Sequence, residues 1–247
     1  MKLRLDELLL IRKLAEDLAS ARALIGAGKV LVNDRLSDKA GSLINSEAHI
    51  RIKARCPYVS RGGLKLQEGL LHFRTDVTGK VCIDVGASTG GFTDCLLQNG
   101  ARKVYAVDVA YGQLDWKLRQ DPRVVVIERF NARKLTSTHL DELVDLAVVD
   151  ASFISLTKLI PPLLPLFQKK INLIALIKPQ FELPRGKIGP GGVVKEALLH
   201  QEAMETIRSF ALQHHLIAKE IVTSPILGPK GNKEFLIHLV GDKSEIT

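Results

Sequence analysis

Two lysines and two carboxylates lie beside apolar or glycine-rich runs of this chain, namely Lys65, Asp150, Lys178 and Glu234. A charge at the end of an apolar strand needs a partner, so Lys178 is expected to pair with a nearby carboxylate. A lysine held beside carboxylates can move a proton or stabilise a developing negative charge. Charged residues are also common at strand ends, so each of the four taken alone indicates ordinary structure. Their joint occurrence beside a ligand-binding segment favours catalysis.

A glycine-rich segment follows the apolar run that begins at Val81. Its spacing from Gly86 to Gly91 is G-x-x-x-G-G rather than the G-x-G-x-x-G of dinucleotide-binding enzymes. Glycines let the backbone turn tightly and approach a ligand closely. A pyrophosphate cradle needs the middle glycine, so this segment better suits the methionine portion of S-adenosylmethionine. The candidate contacts to this cofactor are Asp84, Gly86, Ser88, Thr89, Gly90, Gly91 and Phe92.

The next two apolar runs each end in a further candidate contact. Asp108 ends the second run, and a carboxylate there suits the two hydroxyls of a ribose. Asn131 follows the third run, where the adenine edge of a bound cofactor is expected. An asparagine that caps its own loop explains Asn131 equally well, and both alternatives stay open.

Five apolar runs alternate with longer helical patterns from residue 80 onward, which predicts a parallel sheet covered on both faces. Two more runs, separated by a loop rich in proline and glycine, predict a hairpin on the sheet edge. Ligands of such sheets bind at the carboxyl ends of the strands. The predicted fold class is α/β, with a Rossmann-like sheet of seven mostly parallel strands. The predicted strands are 81–85, 103–108, 124–128, 146–150, 171–178, 217–223 and 235–240.

The first 54 residues have a different pattern. Helical spacing predicts a short helix beginning near Leu3 and a second helix at 18–27. Asp17 is the predicted N-cap of the second helix, and Gly28 is its predicted C-terminal cap. Short strands are predicted at 29–32, from Arg35 onward and at 49–52.

A domain boundary is predicted after this small α+β segment. Pro57 restricts the residue before it to extended conformations, which is typical of a linker. The predicted division is a small domain at 1–54, a linker at 55–59 and the α/β domain at 60–247.

The chain has a formal net charge of +8, which favours polyanionic partners. Residues 1–65 hold 13 Lys and Arg against 7 Asp and Glu, so most of the excess lies in the first quarter. No run approaches the roughly 18 apolar residues of a membrane span, and no signal peptide is seen, so a cytoplasmic location without membrane contact is expected. The three cysteines are widely separated, and no metal-ligand spacing is present, so no metal is expected.

The small first domain resembles the S4 RNA-binding domain. The resemblance lies in Arg4-Leu5-Asp6, in Ala21-Arg22 and in the segment 28–33. It implies that two helices and the following loop present basic side chains to the phosphates of folded RNA, which gives affinity rather than sequence selection. Alanines at positions 19, 21 and 23 depart from the basic residues expected there. The implied RNA contacts are Arg4, Arg22, Lys29 and Arg35.

The second domain resembles FtsJ-like ribose 2'-O-methyltransferases. The two lysines and two carboxylates described first match their Lys-Asp-Lys-Glu tetrad in order and context. Together with the first domain, the segments 60–66 and 84–92 are similar to the TlyA (haemolysin A) family over nearly the whole chain. The resemblance implies S-adenosylmethionine-dependent methylation of ribose 2'-hydroxyls in ribosomal RNA, with ribosomal RNA or ribosomal subunits as partners.

Under this resemblance, Lys178 is expected to deprotonate the 2'-hydroxyl or to stabilise its oxygen, with Lys65 assisting by charge. A lysine amine accepts a proton only when neutral, whereas its reference pKa is about 10.4. Burial and a second ammonium favour the neutral form, while carboxylates oppose it. Asp150 and Glu234 are expected to orient the lysines. Which action of Lys178 dominates stays open at the level of sequence, as do the modified nucleotide and the oligomeric state.

Three other functions fit parts of the pattern. An RNA-binding ribosome assembly protein, or one named as a haemolysin, could retain an inactive methyltransferase fold, although the intact glycine segment and tetrad disfavour this. The glycine spacing disfavours a nicotinamide-dependent oxidoreductase. A base methyltransferase is disfavoured because no Asn/Asp-Pro-Pro-Tyr/Phe motif is present, and because Cys82 and Cys95 are badly placed as nucleophiles. A segment rich in glycine and proline, 180–194, is expected to be a mobile loop that gates substrate, or a plain connector.

Overall fold

The structure is a computed structural model that describes residues 1–53 and 56–245. The chain divides into two compact units, Met1–Arg55 and Cys56–Thr247. Ala54 and Arg55, which lie at the predicted domain boundary, are outside the described residues. Each unit has a hydrophobic core of its own, and the two units are described separately.

The first unit packs two helices against short antiparallel strands. Helix α1 covers Leu5–Ile11 and helix α2 covers Leu18–Gly26. The Asp17 carboxylate accepts a hydrogen bond from the backbone N–H of Ser20 at 2.7 Å, which confirms the predicted N-cap of α2. The strands are β1 at Lys2–Arg4, β2 at Val30–Val32, β3 at Arg35–Leu36, β4 at Leu43–Asn45 and β5 at Ile50–Ile52.

Two strands of the first unit escape prediction from sequence. Strand β1 pairs with β4, whereas β2 pairs with both β3 and β5. The predicted start of the first helix near Leu3 is wrong, because Leu3 lies in β1 opposite Ile44. Strands of three residues show too little alternation to be recognised against a neighbouring helical pattern.

Seven strands form one sheet in the second unit, in the order β11-β12-β10-β9-β6-β7-β8. Strand β12 runs antiparallel to β10 and β11, and the remaining pairs are parallel. The predicted seven-stranded, mostly parallel α/β sheet is confirmed. The strands are β6 at Val81–Val85, β7 at Lys103–Val107, β8 at Val124–Ile127, β9 at Leu146–Val149, β10 at Lys170–Ile177, β11 at Ile217–Thr223 and β12 at Phe235–Asp242.

Helices cover both faces of this sheet. Successive residues of a strand point to opposite faces, so Cys82 and Ile83 belong to different cores. On the Cys82 face, Leu66 and Leu96 pack from two helices, and on the Ile83 face Ile207 packs from another. The helices are α3 at Gly62–His72, α4 at Gly91–Gln98, α5 at Trp116–Arg119, α6 at Ile160–Leu163, α7 at Pro179–Glu182 and α8 at Ala197–Gln213.

Four parallel strands end one residue earlier than the sequence predicts. Asp108, Glu128, Asp150 and Lys178 therefore lie immediately beyond β7, β8, β9 and β10. These polar residues follow buried apolar strands and stand at the sheet edge where ligands of such folds bind.

Two features are absent from residues 1–53 and 56–245. No helix there is both long enough and apolar enough to cross a membrane. No three His, Cys, Asp or Glu side chains in the same residues lie close enough together to hold a metal ion.

Candidate active site

Two adjoining cavities open where the parallel strands of the second unit end. The first, which we call the tetrad cavity, has a volume of about 590 Å³ and includes Lys65 and Lys178. The second, which we call the Asp108 cavity, has a volume of about 460 Å³ and includes Asp108 and Asn131. A shared wall between a charged cavity and a second, more apolar one can bring two ligands together. The residues that line both cavities are Gly86, Ser88, Asp150 and Ser152.

The four charged residues singled out from the sequence form one continuous network. Lys178 Nζ lies 2.6 Å from Asp150 Oδ1, and Lys65 Nζ lies 3.8 Å from Asp150 Oδ2. Lys65 Nζ also donates to Glu234 Oε2 at 2.6 Å. The Glu234 side chain is fully buried, whereas 19% of the Asp150 side chain is exposed. Asp150 therefore stands between two ammonium groups and faces the cavities.

Lys178 is surrounded by oxygen acceptors. Besides the Asp150 carboxylate, its Nζ contacts the Ser152 hydroxyl at 3.0 Å and the Asp150 backbone carbonyl at 3.4 Å. The contacts with Ser152 and with the backbone carbonyl are hydrogen bonds, and the contact with the carboxylate is an ion pair. The longest contact, to the carbonyl, is the weakest and the most easily exchanged for an oxygen of a substrate.

Close helix packing places Lys65 in the tetrad cavity. Helix α3 carries Lys65, and its first turn closely approaches the first turn of α4. A Cβ added at Gly91 would lie 2.8 Å from the backbone nitrogen of Gly63, and one added at Gly63 would overlap the ring of Tyr58. The backbone N–H of Val59 donates to Asp94 on α4 at 2.8 Å. Residues 58 and 59 of the predicted linker thus pack onto the second unit.

The glycine-rich segment and Asp108 form one wall of the Asp108 cavity. Gly86 has a φ of +89°, and a Cβ there would lie 2.8 Å from the backbone oxygen of Asp150. The Asp108 carboxylate accepts from the backbone N–H groups of Ser88 at 2.8 Å and Ala110 at 2.7 Å. Each carboxylate oxygen retains a further lone pair, so Asp108 can also accept from two hydroxyl groups of a ligand. The wall therefore combines free carboxylate acceptors with a backbone that carries no side chain at Gly86.

Two predicted cofactor contacts lie behind this wall. Asp84 is fully buried, its Oδ2 accepts from the Thr93 hydroxyl at 2.7 Å, and no donor in the described chain reaches its Oδ1. Burial raises the pKa of Asp84 to about 7, and the Thr93 hydrogen bond partly opposes that rise. Gly90 faces Leu118 of α5 rather than a cavity. The structure therefore does not bring Asp84 or Gly90 into direct contact with the cavities.

The remaining predicted cofactor contacts divide between the two cavities. Ser88 lines both, whereas Thr89, Gly91 and Phe92 line the tetrad cavity. Asn131 lines the Asp108 cavity, and its Oδ1 accepts from the backbone N–H of Arg133 at 3.1 Å. The capping alternative is thus observed for the Asn131 oxygen, and its amide nitrogen is left for a ligand.

The two buried cysteines are poor nucleophiles. Burial raises the pKa of both the Cys82 and the Cys95 thiol to about 12. A thiolate, rather than a thiol, is the attacking species, so neither cysteine is ready to attack a base near neutral pH.

Several residues of the site escape sequence reasoning. Ser152 and Phe153 follow Asp150, and Phe153 is 91% exposed and lines the Asp108 cavity with a φ of +65°. The segment 226–229 lines the tetrad cavity from beyond β11. Of these residues, only Phe153 has a signal in the sequence, since an aromatic residue three positions after Asp150 is suited to nucleobase contacts.

The predicted RNA contacts of the first unit fall into two pairs. Arg4 and Arg22 both hold the buried Asp6, with contacts of 2.8 Å and 3.0 Å to its Oδ2, and these bonds lower the pKa of Asp6. Both arginine side chains remain about half exposed, at 44% and 57%. Lys29 is partly exposed, and Arg35 is exposed. Arg4 and Arg22 therefore stabilise the unit and still offer donors to solvent.

The family is decided by a sequence match to the second unit. A model of the family described as "FtsJ-like methyltransferase" matches residues 58–240. The chain belongs to this family. The matched residues include the glycine-rich segment, both cavities and all four members of the tetrad, and they begin at Tyr58, where the chain packs onto the second unit.

Relatives of this FtsJ-like chain extend the match to both units. The "Putative rRNA methyltransferase YqxC" of Bacillus subtilis is 46% identical over 96% of this chain and 85% of the relative. The "16S/23S rRNA (cytidine-2'-O)-methyltransferase TlyA" of Mycobacterium tuberculosis is 41% identical over 96% of this chain and 89% of the relative. A solved structure, "Putative hemolysin from Streptococcus thermophilus", has a TM-score of 0.76 at 42% identity and covers 97% of this chain and 88% of that chain. The predicted resemblance to the TlyA (haemolysin A) family is confirmed.

Proposed function

We propose that this protein uses S-adenosylmethionine to methylate ribose 2'-hydroxyl groups of ribosomal RNA. The observation that carries the proposal is the network from Lys178 through Asp150 and Lys65 to Glu234, which stands at a wall shared with the Asp108 cavity. The M. tuberculosis relative is named for transfer to the 2'-oxygen of cytidines in 16S and 23S rRNA, which supports ribosomal RNA as the substrate class. Such a substrate places the proposed activity in the cytoplasm.

The Asp108 cavity is the proposed cofactor site. S-adenosylmethionine supplies an electrophilic methyl group when it is bound. Asp108 would accept hydrogen bonds from the ribose hydroxyls of the cofactor, and the free amide nitrogen of Asn131 would lie toward its base. Gly86 leaves room for the chain between ribose and methionine, because any side chain there would meet the backbone of Asp150. Asp84 would support the glycine-rich segment from behind, through its hydrogen bond with Thr93, rather than by direct contact with the cofactor.

The tetrad cavity is the proposed site of the target ribose. As the 2'-oxygen gains a methyl group, its proton must leave, and negative charge grows on the oxygen before the new bond is complete. Lys178 is placed to donate a hydrogen bond to that oxygen in exchange for its 3.4 Å contact with the Asp150 carbonyl. The proton passes to the Asp150 carboxylate, because the Lys178 ammonium donates to the oxygen and has no lone pair to accept a proton, and Lys65 contributes positive charge from the far side of Asp150. Glu234 fixes Lys65 in that position.

The first unit is proposed to hold RNA by its phosphates. Arg4, Arg22, Lys29 and Arg35 carry the positive charge of this S4-like unit, and phosphate contacts of such residues provide affinity without sequence selection. Selection of the modified nucleotide would then depend on the second unit, where Phe153 and Phe181 lie with ring centroids 5.3 Å apart beside the site.

Transfer of a labelled methyl group tests the proposal. The chain is incubated with labelled S-adenosylmethionine and with ribosomal subunits that lack the modification, and the RNA is then digested to locate the label. We expect label on a ribose 2'-oxygen, at least a hundredfold less with Lys178→Ala, and no change with Lys195→Ala, which alters an exposed lysine. Tight cofactor binding without transfer to any ribosomal particle would instead support a ribosome-binding protein with an inactive methyltransferase fold.

A further inference from the structure

Outside the tetrad, Glu182 is a carboxylate at the same sheet edge that the proposed mechanism leaves unused. It is the last residue of α7, four positions after Lys178, and it is only partly exposed. Its Oε2 accepts from the Ser155 hydroxyl at 2.5 Å, and its Oε1 accepts from the backbone N–H of Leu156 at 3.0 Å. Burial raises the pKa of Glu182, whereas these two hydrogen bonds favour its charged form.

The partners of Glu182 lie in the segment that positions the tetrad. Ser155 and Leu156 end the segment 150–156, which begins with Asp150 and includes Ser152, the two residues that contact Lys178. The facing segment, 178–182, begins with Lys178 and ends with Glu182. The two segments are therefore joined at one end by Lys178 and at the other end by Glu182.

The middle of the segment 150–156 would not keep its shape unaided. Phe153 has a φ of +65°, a left-handed backbone conformation that residues other than glycine adopt only at a cost in free energy. Such a conformation persists when its surroundings hold it in place. Phe181 contacts Phe153 from the facing segment, with ring centroids 5.3 Å apart, but Phe153 is largely exposed and gains little from burial. The two hydrogen bonds that Glu182 accepts attach the segment 150–156 to the facing segment, at a point beyond Phe153 in the chain.

We propose that Glu182 is a positioning residue for methyl transfer, which holds the segment 150–156 so that Asp150 and Ser152 stay in contact with Lys178. The inference rests on the proposed function, since it assigns to Glu182 a part in placing the groups that act on the 2'-hydroxyl. Glu182 itself lines neither the tetrad cavity nor the Asp108 cavity, so its effect passes through the segment that it holds.

Glu182→Gln tests the proposal with the smallest change in shape. An amide keeps one acceptor but replaces the other with a donor, so one of the two bonds to the segment 150–156 is lost or reversed. The matched control is Glu205→Gln, because Glu205 also accepts from a serine hydroxyl, that of Ser209 at 3.2 Å, but on the exposed face of α8. The full chain is used for methyl transfer, for cofactor binding by calorimetry and for thermal unfolding.

We expect Glu182→Gln to lower kcat by about ten- to a hundredfold, because displacements of about 1 Å at reacting groups have effects of this size. The KM for RNA and the Kd for S-adenosylmethionine should stay within about twofold of the wild type, and Glu205→Gln should match the wild type throughout. An unchanged kcat would overturn the inference, as would a loss of kcat that merely follows a smaller fraction of folded, cofactor-binding protein. If the wild-type chain itself transfers no methyl group, the proposed function fails instead.

A second variant shows whether the effect passes through Ser155. Ser155→Ala removes the hydroxyl that donates to Glu182, so it should lower kcat in the same direction as Glu182→Gln. Residues that act through one contact give less than additive effects when both are changed. The double variant should therefore have a kcat within about threefold of the worse single variant. A double loss equal to the product of the two single losses would overturn the proposed path through Ser155.

Discussion

Lys65 and Lys178 approach Asp150 from two sides, yet only Lys65 has a fully buried carboxylate as its main partner. Its Nζ lies 2.6 Å from Glu234 and 3.8 Å from Asp150. A buried ion pair adds little net stability, but loss of one member leaves an uncompensated charge in the interior. The Lys65–Glu234 pair is therefore better explained by the need for a fixed ammonium near the reacting oxygen than by stability.

Glu234→Gln is expected to lower the free energy of unfolding by about 3 kcal/mol, because the Lys65 ammonium then lacks its buried counter-charge. Methyl transfer should fall as well. Urea unfolding of the variant and of the double variant Lys65→Met, Glu234→Gln measures this effect. The double variant should regain at least half of the lost stability while remaining inactive. The explanation would be contradicted if the loss of stability in the double variant equalled the sum of the losses from the two single substitutions.

Asp84 predicts a pH dependence of stability with a definite sign. Burial raises its pKa from the ordinary value of about 3.9 to about 7, so between these values the folded state holds a proton that the unfolded state releases. The stability that the folded state gains from the protonated Asp84 is present in full below about pH 4 and is lost as the pH rises through about 7. Three units of pKa correspond to about 4 kcal/mol as an upper bound.

At pH 4.5 the free energy of unfolding of Asp84→Asn should therefore lie below that of the wild type. This difference should shrink as the pH rises to 8. Urea unfolding of both proteins across this range measures the difference in free energy of unfolding. Asp121→Asn is the control, since the Arg123 ion pair lowers the pKa of Asp121 and its titration lies below this range. Parallel stability curves for Asp84→Asn and the wild type would argue against a protonated Asp84 near neutral pH.

At the scale of elements, the sequence predicts what depends on local pattern and misses what depends on neighbours in space. The parallel strands appear as continuous apolar runs, and the sequence predicts all seven strands of the sheet to within two residues at their ends. Asp150, Lys178 and Glu234 lie beside such runs, whereas Lys65 lies on helix α3. The parts played by Ser152 and Glu182 depend on facing segments from two different strands, and sequence spacing does not register such contacts.

The segment 180–194 illustrates the same limit. Its composition predicts a mobile loop or a connector, but the structure ties it to the segment before β12. The buried Asn232 accepts from the backbone N–H of Val194 at 2.9 Å and donates to the carbonyl of Gly192 at 2.9 Å. Lys230 adds a bond to the carbonyl of Gly191 at 2.9 Å. Because Glu234 lies only two residues after Asn232, this loop is linked to the tetrad.

Gly86→Ala should disturb the turn after β6 and both cavities together. An alanine would have to adopt a φ of +89° and would place its Cβ 2.8 Å from the Asp150 carbonyl oxygen. We expect the Kd for S-adenosylmethionine to rise at least tenfold and the free energy of unfolding to fall by about 2 kcal/mol. Gly79→Ala is a matched control, because Gly79 also has a positive φ, +70°, but nothing within 4 Å of the added Cβ.

Gly79→Ala should lose about 1 kcal/mol of stability without any change in cofactor affinity. Calorimetric titration and urea unfolding of both variants separate the two effects. Equal affinities of the Gly86 and Gly79 variants would mean that contact with Asp150 does not matter for cofactor binding.

At the scale of the whole molecule, the distribution of charge indicates that attraction of RNA and the proposed reaction chemistry belong to different units. The net charge is +8, and the first unit, residues 1–55, holds 11 Lys and Arg against 7 Asp and Glu, so half of the excess lies in less than a quarter of the chain. The proposed reaction chemistry lies in the second unit, where the tetrad lysines are held by carboxylates and contribute little to a long-range field. Long-range attraction of RNA is then expected mainly from exposed basic residues of the first unit, and such attraction weakens as salt is added.

The double variant Lys29→Ala, Arg35→Ala tests this division. Each phosphate contact contributes about 0.7–0.9 to the slope of log K against log salt, so loss of two contacts should lower that slope by about 1.5. RNA affinity at low salt should fall, while the Kd for S-adenosylmethionine should not change. The control is Lys169→Ala, Lys170→Ala, which removes the same net charge at the start of β10, the end of that strand opposite the tetrad. Titrations of ribosomal RNA at several salt concentrations measure both slopes. The two double variants differ only in the location of the removed charges. If the control lowers the slope as much as the test variant does, the net charge of the protein governs the attraction, rather than the S4-like surface.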